Sequence, residues 1–238
     1  MKTIEIVSRD KCVGCCSCVE ACPTDSISFI FDNQYCDYYP KVNNDKCVEC
    51  GLCQKVCPVI ASNHKENSKI IKCYIGINTD EYVRNGSTSG GVFSGLAKAL
   101  ILKGYVVYGA RINNEGIVEH IDIKTIDSIA LIRGSKYVRS DISSVFKLIV
   151  KNLRDGTKVA FTGTGCQCAA IQFYVNNFAP SKKDNLFLID VVCHGVAKPY
   201  IWKKHFDDLN FKYGNIHSLN FRDKDTGWHS SGLSFLVG

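Results

Sequence analysis

Residues 12–23, CVGCCSCVEACP, and residues 47–58, CVECGLCQKVCP, repeat one cysteine pattern at an offset of 35 residues. Each copy has three cysteines at intervals of three residues, a fourth cysteine four residues later, and a proline directly after it. This is the spacing with which thiolates hold two 4Fe-4S clusters, the fourth cysteine of each copy binding the cluster of the other copy. The repeat therefore predicts two 4Fe-4S clusters.

The crossed arrangement assigns four thiolates to each cluster. The first cluster takes Cys12, Cys15, Cys18 and Cys57, and the second takes Cys47, Cys50, Cys53 and Cys22. Zinc sites usually take their four ligands as two separated pairs, and disulfides are typical of exported chains. Both alternatives fit the pattern less well than clusters do. Cys16 occupies the place that Gly51 has in the second copy, so we expect it to pack beside a cluster without binding iron.

The composition of the chain is that of a globular protein. It has 238 residues, of which 45% are hydrophobic and 22% charged, which fits one or two domains. The first residues are not followed by the apolar segment of a signal peptide, and no apolar run approaches the roughly 18 residues that span a bilayer. We therefore expect a cytoplasmic protein whose 14 cysteines stay reduced.

Charge is distributed unevenly along the chain. Residues 1–68 carry seven Lys and Arg against nine Asp and Glu, whereas the remaining residues carry 22 against 14. A basic second part suits an anionic cofactor, an anionic substrate or an acidic donor protein. Its basic residues are scattered rather than clustered, so we do not expect it to bind nucleic acid.

The predicted secondary structure divides the chain into two domains. Residues 1–66 predict an α+β ferredoxin-like two-cluster domain, with an edge strand at Thr3–Val7 and a hairpin between the cysteine motifs. Residues 62–68 are a polar linker. Residues 67–238 alternate strands and helices, beginning with a strand at Ile70–Ile77, which predicts an α/β domain with a mixed sheet. The sequence ends inside an apolar, strand-like run, so we expect this domain to be incomplete.

Two further groups of residues are candidate sites in the second part. Residues 86–91, GSTSGG, stand directly before a predicted helix, where hydroxyls and glycine amides suit a phosphate; a serine N-cap on a flexible loop is the alternative. Cys166 and Cys193 each follow a predicted strand, and ligands of open α/β sheets bind at the carboxyl ends of strands. If these strands are neighbours the two thiols converge, the alternative being two small buried cysteines.

Taken in order, these motifs resemble the coenzyme F420 hydrogenase/dehydrogenase beta subunit family, in its bacterial ferredoxin-fused branch. They are the cysteine repeat, GSTSGG at 86–91, RGSKY at 133–137, TGTGCQ at 162–167, CHG at 193–195, and FRDK at 221–224 with GW at 227–228. The resemblance implies an FAD-binding α/β domain and an oxidoreductase that passes electrons between clusters and an FAD or deazaflavin-type acceptor.

The resemblance also implies particular site residues. The flavin site is then lined by Ser87, Thr88, Ser89, Gly90, Gly91 and Lys136. Cys166 and Cys193 are then two ligands of a third 4Fe-4S cluster, which a later Cys-x2-Cys pair completes in the family. No such pair follows Cys193 in this sequence, so the third cluster forms only if its missing ligands are supplied from elsewhere.

The expected partners follow from the same resemblance. They are a redox partner protein, either a ferredoxin or a hydrogenase/dehydrogenase subunit, and coenzyme F420 or another small acceptor. The sequence identifies no catalytic residue. One alternative is a non-catalytic electron-transfer subunit or adaptor without flavin, and another is a truncated remnant that folds only in part.

Overall fold

A computed structural model describes residues 3–61, 72–225, 227 and 232–238. Its helices are α1 (Ser17–Glu20), α2 (Leu52–Lys55), α3 (Pro58–Ala61), α4 (Glu81–Asn85), α5 (Val92–Leu102), α6 (Ile129–Ile132), α7 (Val145–Arg154), α8 (Gly165–Phe178) and α9 (Pro199–Tyr213). Its strands are β1 (Ile27–Asp32), β2 (Asp37–Val42), β3 (Tyr105–Ile112), β4 (Val118–Ile123), β5 (Lys158–Thr164), β6 (Leu186–Val191), β7 (Ile216–Asp223) and β8 (Gly232–Val237). Short 3-10 helices lie at Ile4–Ile6 and Pro180–Asn185.

The chain forms two compact units, and neither is a continuous stretch of sequence. The first consists of Met1–Lys69 and Asp141–Cys193, and the second of Ile70–Ser140 and His194–Gly238. The cysteine repeat therefore shares its unit with part of the α/β sequence. The predicted domain boundary between residues 66 and 67 and the predicted linker at residues 62–68 lie outside the described residues.

The two cysteine loops of the first unit have the same backbone conformation. Gly14 and Cys16 have positive φ angles of 63° and 61°. Their counterparts 35 residues later, Glu49 and Gly51, have φ angles of 51° and 72°. Cys16 and Gly51 are the N-caps of α1 and α2, so each loop turns through a left-handed residue into a short helix. The repeat in sequence is thus a repeat in structure.

Two strand pairs of different direction lie in the first unit. β1 and β2 form the predicted antiparallel hairpin, with Ile27 opposite Val42. β5 and β6 pair in parallel, with Thr164 opposite Val191 at their carboxyl ends. The second unit contains the antiparallel pairs β3–β4 and β7–β8. The expected α/β part with mixed strand directions is therefore confirmed.

The helices α7 and α8 pack against β5 and against the cysteine region of the same unit. The buried residues of α7 recur at helical spacing: Val145, Phe146, Ile149, Val150 and Leu153. On α8, the Tyr174 hydroxyl donates to the carbonyl oxygen of Glu20 on α1 at 3.1 Å. Because both groups are buried or partly buried, this bond joins the α1 backbone to the core of the α/β sequence.

The second unit has a core between α5 and β3, and a smaller apolar cluster around α9. α5 packs on β3, and Val107 of that strand is fully buried. Trp202 and Phe206 of α9 are buried in the smaller cluster. The indole nitrogen of Trp202 donates to the carbonyl oxygen of Gly116 at 2.7 Å, which satisfies its only polar group.

Two predicted strands were wrong. Thr3–Val7 contains a 3-10 turn in which the Val7 amide donates to the Ile4 carbonyl at 3.0 Å. This segment meets β2 through a side chain, since the Glu5 carboxylate accepts from the Val42 amide, and a strand ladder does not form. Residues 72–77 also form no strand, and residues 70 and 71 lie outside the described residues. Ile75 in this segment is fully exposed, so its apolar alternation is not matched by burial.

Candidate functional site

The thiols assigned to the first cluster lie close together beside α1. Burial raises the pKa of the Cys15 thiol to about 11, and the neighbouring thiols of Cys57 and Cys12 act in the same direction. Burial also raises the pKa of Cys18, again with Cys57 among the contributing thiols. The fourth cysteine of the second copy thus interacts with the triplet of the first. Because the Cys15 and Cys18 thiols hold their protons tightly, binding of iron there would release protons.

The thiols assigned to the second cluster line one cavity. Cys47, Cys50 and Cys53 from the second copy are in its walls, and Cys22 from the first copy is there with them. The remaining wall includes apolar side chains such as Ile27. Here too the structure brings a fourth cysteine to the triplet of the other copy.

Hydrogen bonding to sulfur differs between the two fourth cysteines. The Ser26 amide donates to the Sγ atom of Cys22 at 3.3 Å, and the Ser26 hydroxyl is 3.1 Å from the same sulfur. Burial raises the pKa of Cys22, but hydrogen bonds led by that of the Ser26 side chain outweigh it, and the pKa is lowered. The residue that stands 35 positions after Ser26 is Ala61, whose side chain cannot donate to Cys57. Such bonds influence cluster potentials, so the two sites are chemically unequal.

The donor set fits iron–sulfur clusters. Soft thiolate ligands select iron–sulfur clusters among other metal groups. Within the described ranges, no three His, Cys, Asp or Glu side chains converge to hold a single metal ion. A 4Fe-4S cluster does not require side chains that converge on one point, because its four thiolates surround a group of four irons.

Cys166 and Cys193 stand just beyond the carboxyl ends of β5 and β6. Because Thr164 lies opposite Val191, the condition that the two strands are neighbours is met. The Sγ atom of Cys166, in the first turn of α8, is 3.2 Å from the Thr164 hydroxyl oxygen, and Cys193 is exposed. Both residues therefore lie at the same end of one parallel strand pair. Their role in a third cluster stays a prediction.

The GSTSGG loop connects α4 to α5 and is held by its own hydroxyls. The Ser87 hydroxyl donates to the Val83 carbonyl oxygen at 2.6 Å. The Thr88 hydroxyl oxygen accepts from the Ser135 amide at 2.7 Å. Gly91 is the N-cap of α5 and has a φ of 74°. Two of the three hydroxyls thus fix the loop to its surroundings.

A cavity of about 310 Å³ in the second unit joins this loop to two distant segments. It is lined by residues 85–88, 133–136 and 219–225, and we call it the polar cavity. Its walls include the cations Arg133, Lys136, Arg222 and Lys224 and the anions Asp223 and Asp225. Lys224 Nζ donates to the Ser87 carbonyl oxygen at 2.6 Å, so the end of β7 holds the loop. The excess of cations suits a phosphate-bearing ligand.

Lys136 lines this cavity, and its pKa departs strongly from the ordinary value of a lysine. Burial lowers the pKa of its ammonium to about 8. Its Nζ donates to the carbonyl oxygens of Arg133 at 2.8 Å and Gly134 at 3.2 Å. An anion bound nearby favours the charged form of a lysine. The charge of Lys136 is therefore coupled to any phosphate that enters the cavity.

Two family models match separate segments of the chain. Residues 5–63 match a 4Fe-4S dicluster domain. Residues 156–233 match the C terminus of the coenzyme F420 hydrogenase/dehydrogenase beta subunit. The resemblance to this family that the motifs predicted is thus confirmed over residues 156–233. The predicted iron–sulfur character of the cysteine region is confirmed by the first match.

Solved structures similar to this chain include one from a xenon derivatization of the F420-reducing NiFe hydrogenase complex of Methanosarcina barkeri. The two chains are 16% identical, with a TM-score of 0.46. The alignment covers 68% of this chain and 58% of that chain, so the similarity spans less than two thirds of the relative's length. A comparison with curated proteins found no match. In the described residues, no helix is long and apolar enough to cross a membrane.

The residues expected from the family resemblance are brought together only in part. Ser87, Thr88 and Lys136 line the polar cavity, whereas residues 89–91 lead into α5 and are not among its lining residues. The contact of Lys224 with the loop was not predicted from sequence. The FRDK motif at 221–224 was among the motifs that carried the family resemblance. It did not indicate that this segment lies beside the GSTSGG loop.

Gly91, the N-cap of α5 with a left-handed backbone conformation, allows the packing around the GSTSGG loop to be tested by substitution. A Cβ on Gly91 would lie 3.0 Å from the Asn78 Cβ and 3.3 Å from the Arg84 Cα, whereas one on Gly104, also at positive φ, meets nothing within 4 Å. Since positive φ alone costs about 1–2 kcal/mol, we expect Gly104→Ala to lose about that much stability and Gly91→Ala distinctly more. The urea midpoint measured by fluorescence of Trp202 and Trp228 compares the two variants. Equal losses would contradict a tightly packed cap.

Proposed function

We propose that this chain is an iron–sulfur flavoprotein oxidoreductase subunit that passes electrons between two 4Fe-4S clusters and an FAD. The observation that carries the proposal is the cavity that Cys22 shares with the other copy's triplet, Cys47, Cys50 and Cys53. This grouping across the repeat is what two-cluster ligation requires, because each fourth cysteine belongs to the other cluster. A dicluster domain at residues 5–63 agrees with it.

The protein's own contribution at the clusters is ligation and tuning. In this proposal the first cluster is held by Cys12, Cys15, Cys18 and Cys57, and the second by Cys47, Cys50, Cys53 and Cys22. Two of the first cluster's cysteines, Cys18 and Cys57, are buried, and the amide of Ser26 donates to a ligand sulfur of the second cluster. Hydrogen bonds and burial are the means by which a protein sets cluster potentials, so the two clusters are expected to differ in potential.

FAD belongs, in this proposal, to the polar cavity of the second unit. The cavity volume of about 310 Å³ is at the lower end of the range for cofactor pockets. Arg133, Lys136 and Lys224 would face the diphosphate, and the loop at residues 86–88 would orient it. When bound, FAD exchanges single electrons with clusters and a hydride with a two-electron acceptor. The residues of the cavity bind and position it, and none is assigned a proton-transfer role.

The partners and the acceptor are part of the same proposal. A redox protein, either a ferredoxin or a hydrogenase/dehydrogenase subunit, would exchange electrons with the clusters. Coenzyme F420 or another small molecule would exchange hydride with the flavin. Cys166 and Cys193 would ligate a third 4Fe-4S cluster if a partner supplies its remaining ligands. The match of residues 156–233 to the coenzyme F420 hydrogenase/dehydrogenase beta subunit family and the basic character of residues 69–238 support these assignments.

Metal and flavin analysis of the anaerobically reconstituted chain tests the proposal directly. We expect about eight irons and about eight sulfides per chain, as two 4Fe-4S clusters contain, together with one FAD released on denaturation. Iron without flavin would refute the flavoprotein part and support the electron-transfer adaptor instead. A chain that binds neither would contradict both functions.

A further inference from the structure

A basic groove runs between α7 and α8 in the first unit. Its volume is about 300 Å³, and its basic residues are Lys147, Lys151 and Arg154 of α7. These residues stand at positions i, i+4 and i+7, so they share one face of the helix. All three are exposed, and Asp155 is the acidic residue among those that line the groove. The groove therefore presents a positive surface to solvent.

The floor of this basic groove is apolar and aromatic. Val150, Tyr174 and Phe178 form it, and the rings of Tyr174 and Phe178 lie 4.5 Å apart between centroids. Arg154 Nη2 donates to the Phe178 carbonyl oxygen at 2.6 Å, which holds the guanidinium at the end of the groove. An apolar centre with a charged rim is the usual construction of a protein interface.

The groove lies next to the first cluster's cysteine helix. The Tyr174 hydroxyl, part of its floor, donates to the carbonyl oxygen of Glu20 at 3.1 Å. Lys147 Nζ, on its rim, is 3.1 Å from the Glu20 carboxylate. Glu20 belongs to α1, two residues after the proposed ligand Cys18. A partner seated in the groove would therefore approach the cluster side of this unit.

We propose that the basic groove is the docking site for the acidic face of a one-electron carrier protein. Carriers of this kind form small, transient interfaces, and opposite charge steers their encounter and fixes their orientation. The three cations of the groove outnumber the two carboxylates beside them, Asp155 and Glu20, so the surface keeps a net positive charge that suits an acidic partner. The exchange moves one electron: the carrier is oxidised by one electron and a cluster of this chain is reduced by one. The inference rests on the proposed function, because it gives the clusters their external donor.

The test measures binding of an oxidised, acidic plant-type 2Fe-2S ferredoxin to the cluster-loaded chain. At about 0.02 M salt, where screening is weak, we expect Lys151→Glu to raise the Kd roughly tenfold and Lys151→Gln to raise it less. At about 0.5 M salt the Kd values of variant and parent should converge. Lys41→Glu is the matched control, since Lys41 is an exposed lysine of β2 in the same unit and does not line the groove.

A kinetic comparison separates docking from the clusters themselves. Reduction of the clusters in the Lys151→Glu variant by reduced ferredoxin should slow by about the same factor as binding weakens. Their reduction by the one-electron-reduced radical cation of methyl viologen, a small molecule, should stay unchanged. Equal effects of Lys151→Glu and Lys41→Glu on the Kd would overturn the docking site. So would binding of a single-stranded oligonucleotide or an anionic vesicle as tightly as the ferredoxin. A chain without iron would refute the proposed function, whereas full iron with unchanged ferredoxin binding in Lys151→Glu refutes this inference alone.

Discussion

Replacing Cys22 with alanine is expected to halve the iron content of the reconstituted chain, from about eight to about four irons. Cys22 lies in the cavity that Cys47, Cys50 and Cys53 line, so its loss removes the fourth ligand of the second cluster. Alanine is the appropriate replacement because a serine oxygen can also bind iron. Iron and sulfide analysis, together with the visible absorbance of the clusters, measures the loss.

Double variants show which triplet Cys22 serves. If it completes the second cluster, adding Cys47→Ala to Cys22→Ala removes no further iron, because both changes destroy one cluster. Adding Cys12→Ala instead removes the remaining four irons. The opposite result, further loss with Cys47→Ala and none with Cys12→Ala, would refute crossed ligation.

The control for these variants is Cys36→Ala. Cys36 lies in the turn between β1 and β2, where its thiol donates to the Asn33 carbonyl oxygen at 3.6 Å. We expect this variant to keep all its iron. If Cys22→Ala and Cys12→Ala each lose every iron while Cys36→Ala loses none, the two clusters form as one cooperative unit, and the assignment of separable sites is wrong.

The cysteine sites were predictable because their geometry is encoded locally. A triplet of cysteines spaced three apart needs a tight loop, and the loop in each copy turns through the same left-handed positions, Cys16 and Gly51. The crossing of the fourth cysteines follows from the repeat itself, since it is a property of this motif. Local spacing thus indicated which cysteines come together, while the cluster that each of them binds stays a prediction.

The polar cavity was predictable only in part, because its contacts join residues far apart in sequence. The Ser87 carbonyl and Lys224 Nζ meet across 137 residues. No pattern of sequence spacing predicts a contact between them, and nothing in the sequence distinguishes Lys224 from the other basic residues. Helix periodicity predicted α5 but not which end of the GSTSGG loop faces the cavity. The resemblance assigned residues 87–91 to a flavin site, and that assignment stays a prediction.

The packing of the cysteine region on α8 also could not be predicted from the sequence. Tyr174 and Glu20 are 154 residues apart, and a single hydrogen bond to a backbone carbonyl leaves no pattern in the side chains. The same limit explains the two strands that were wrong. An apolar alternation shows that a segment can pair, but a ladder also needs an available neighbouring edge, which Thr3–Val7 and residues 72–77 do not find.

FAD is expected to bind more weakly as the pH rises through about 8. Burial lowers the pKa of Lys136 to about 8, so its ammonium loses its proton in that range and no longer attracts a diphosphate. Lys136→Met should raise the Kd for FAD at pH 7 roughly tenfold or more, as loss of a charge-assisted hydrogen bond of about 1.5–3 kcal/mol implies. It should also abolish the pH dependence near 8. Fluorescence titration with FAD between about pH 7 and pH 9.5 measures both effects.

Two controls isolate the charge of Lys136. Riboflavin, which has no phosphate, should bind without this pH dependence, and Lys98→Met, an exposed position of α5, should behave like the parent. The ligand-free protein gives a further check, since the unfolded chain keeps the lysine proton up to a pKa of 10.5. Between about pH 8 and that value the unfolded state binds more protons, so the free energy of unfolding should rise with pH. This rise should be absent in Lys136→Met. A variant that retains the parent's pH dependence in both measurements would show that another group titrates, and that Lys136 does not face the phosphate.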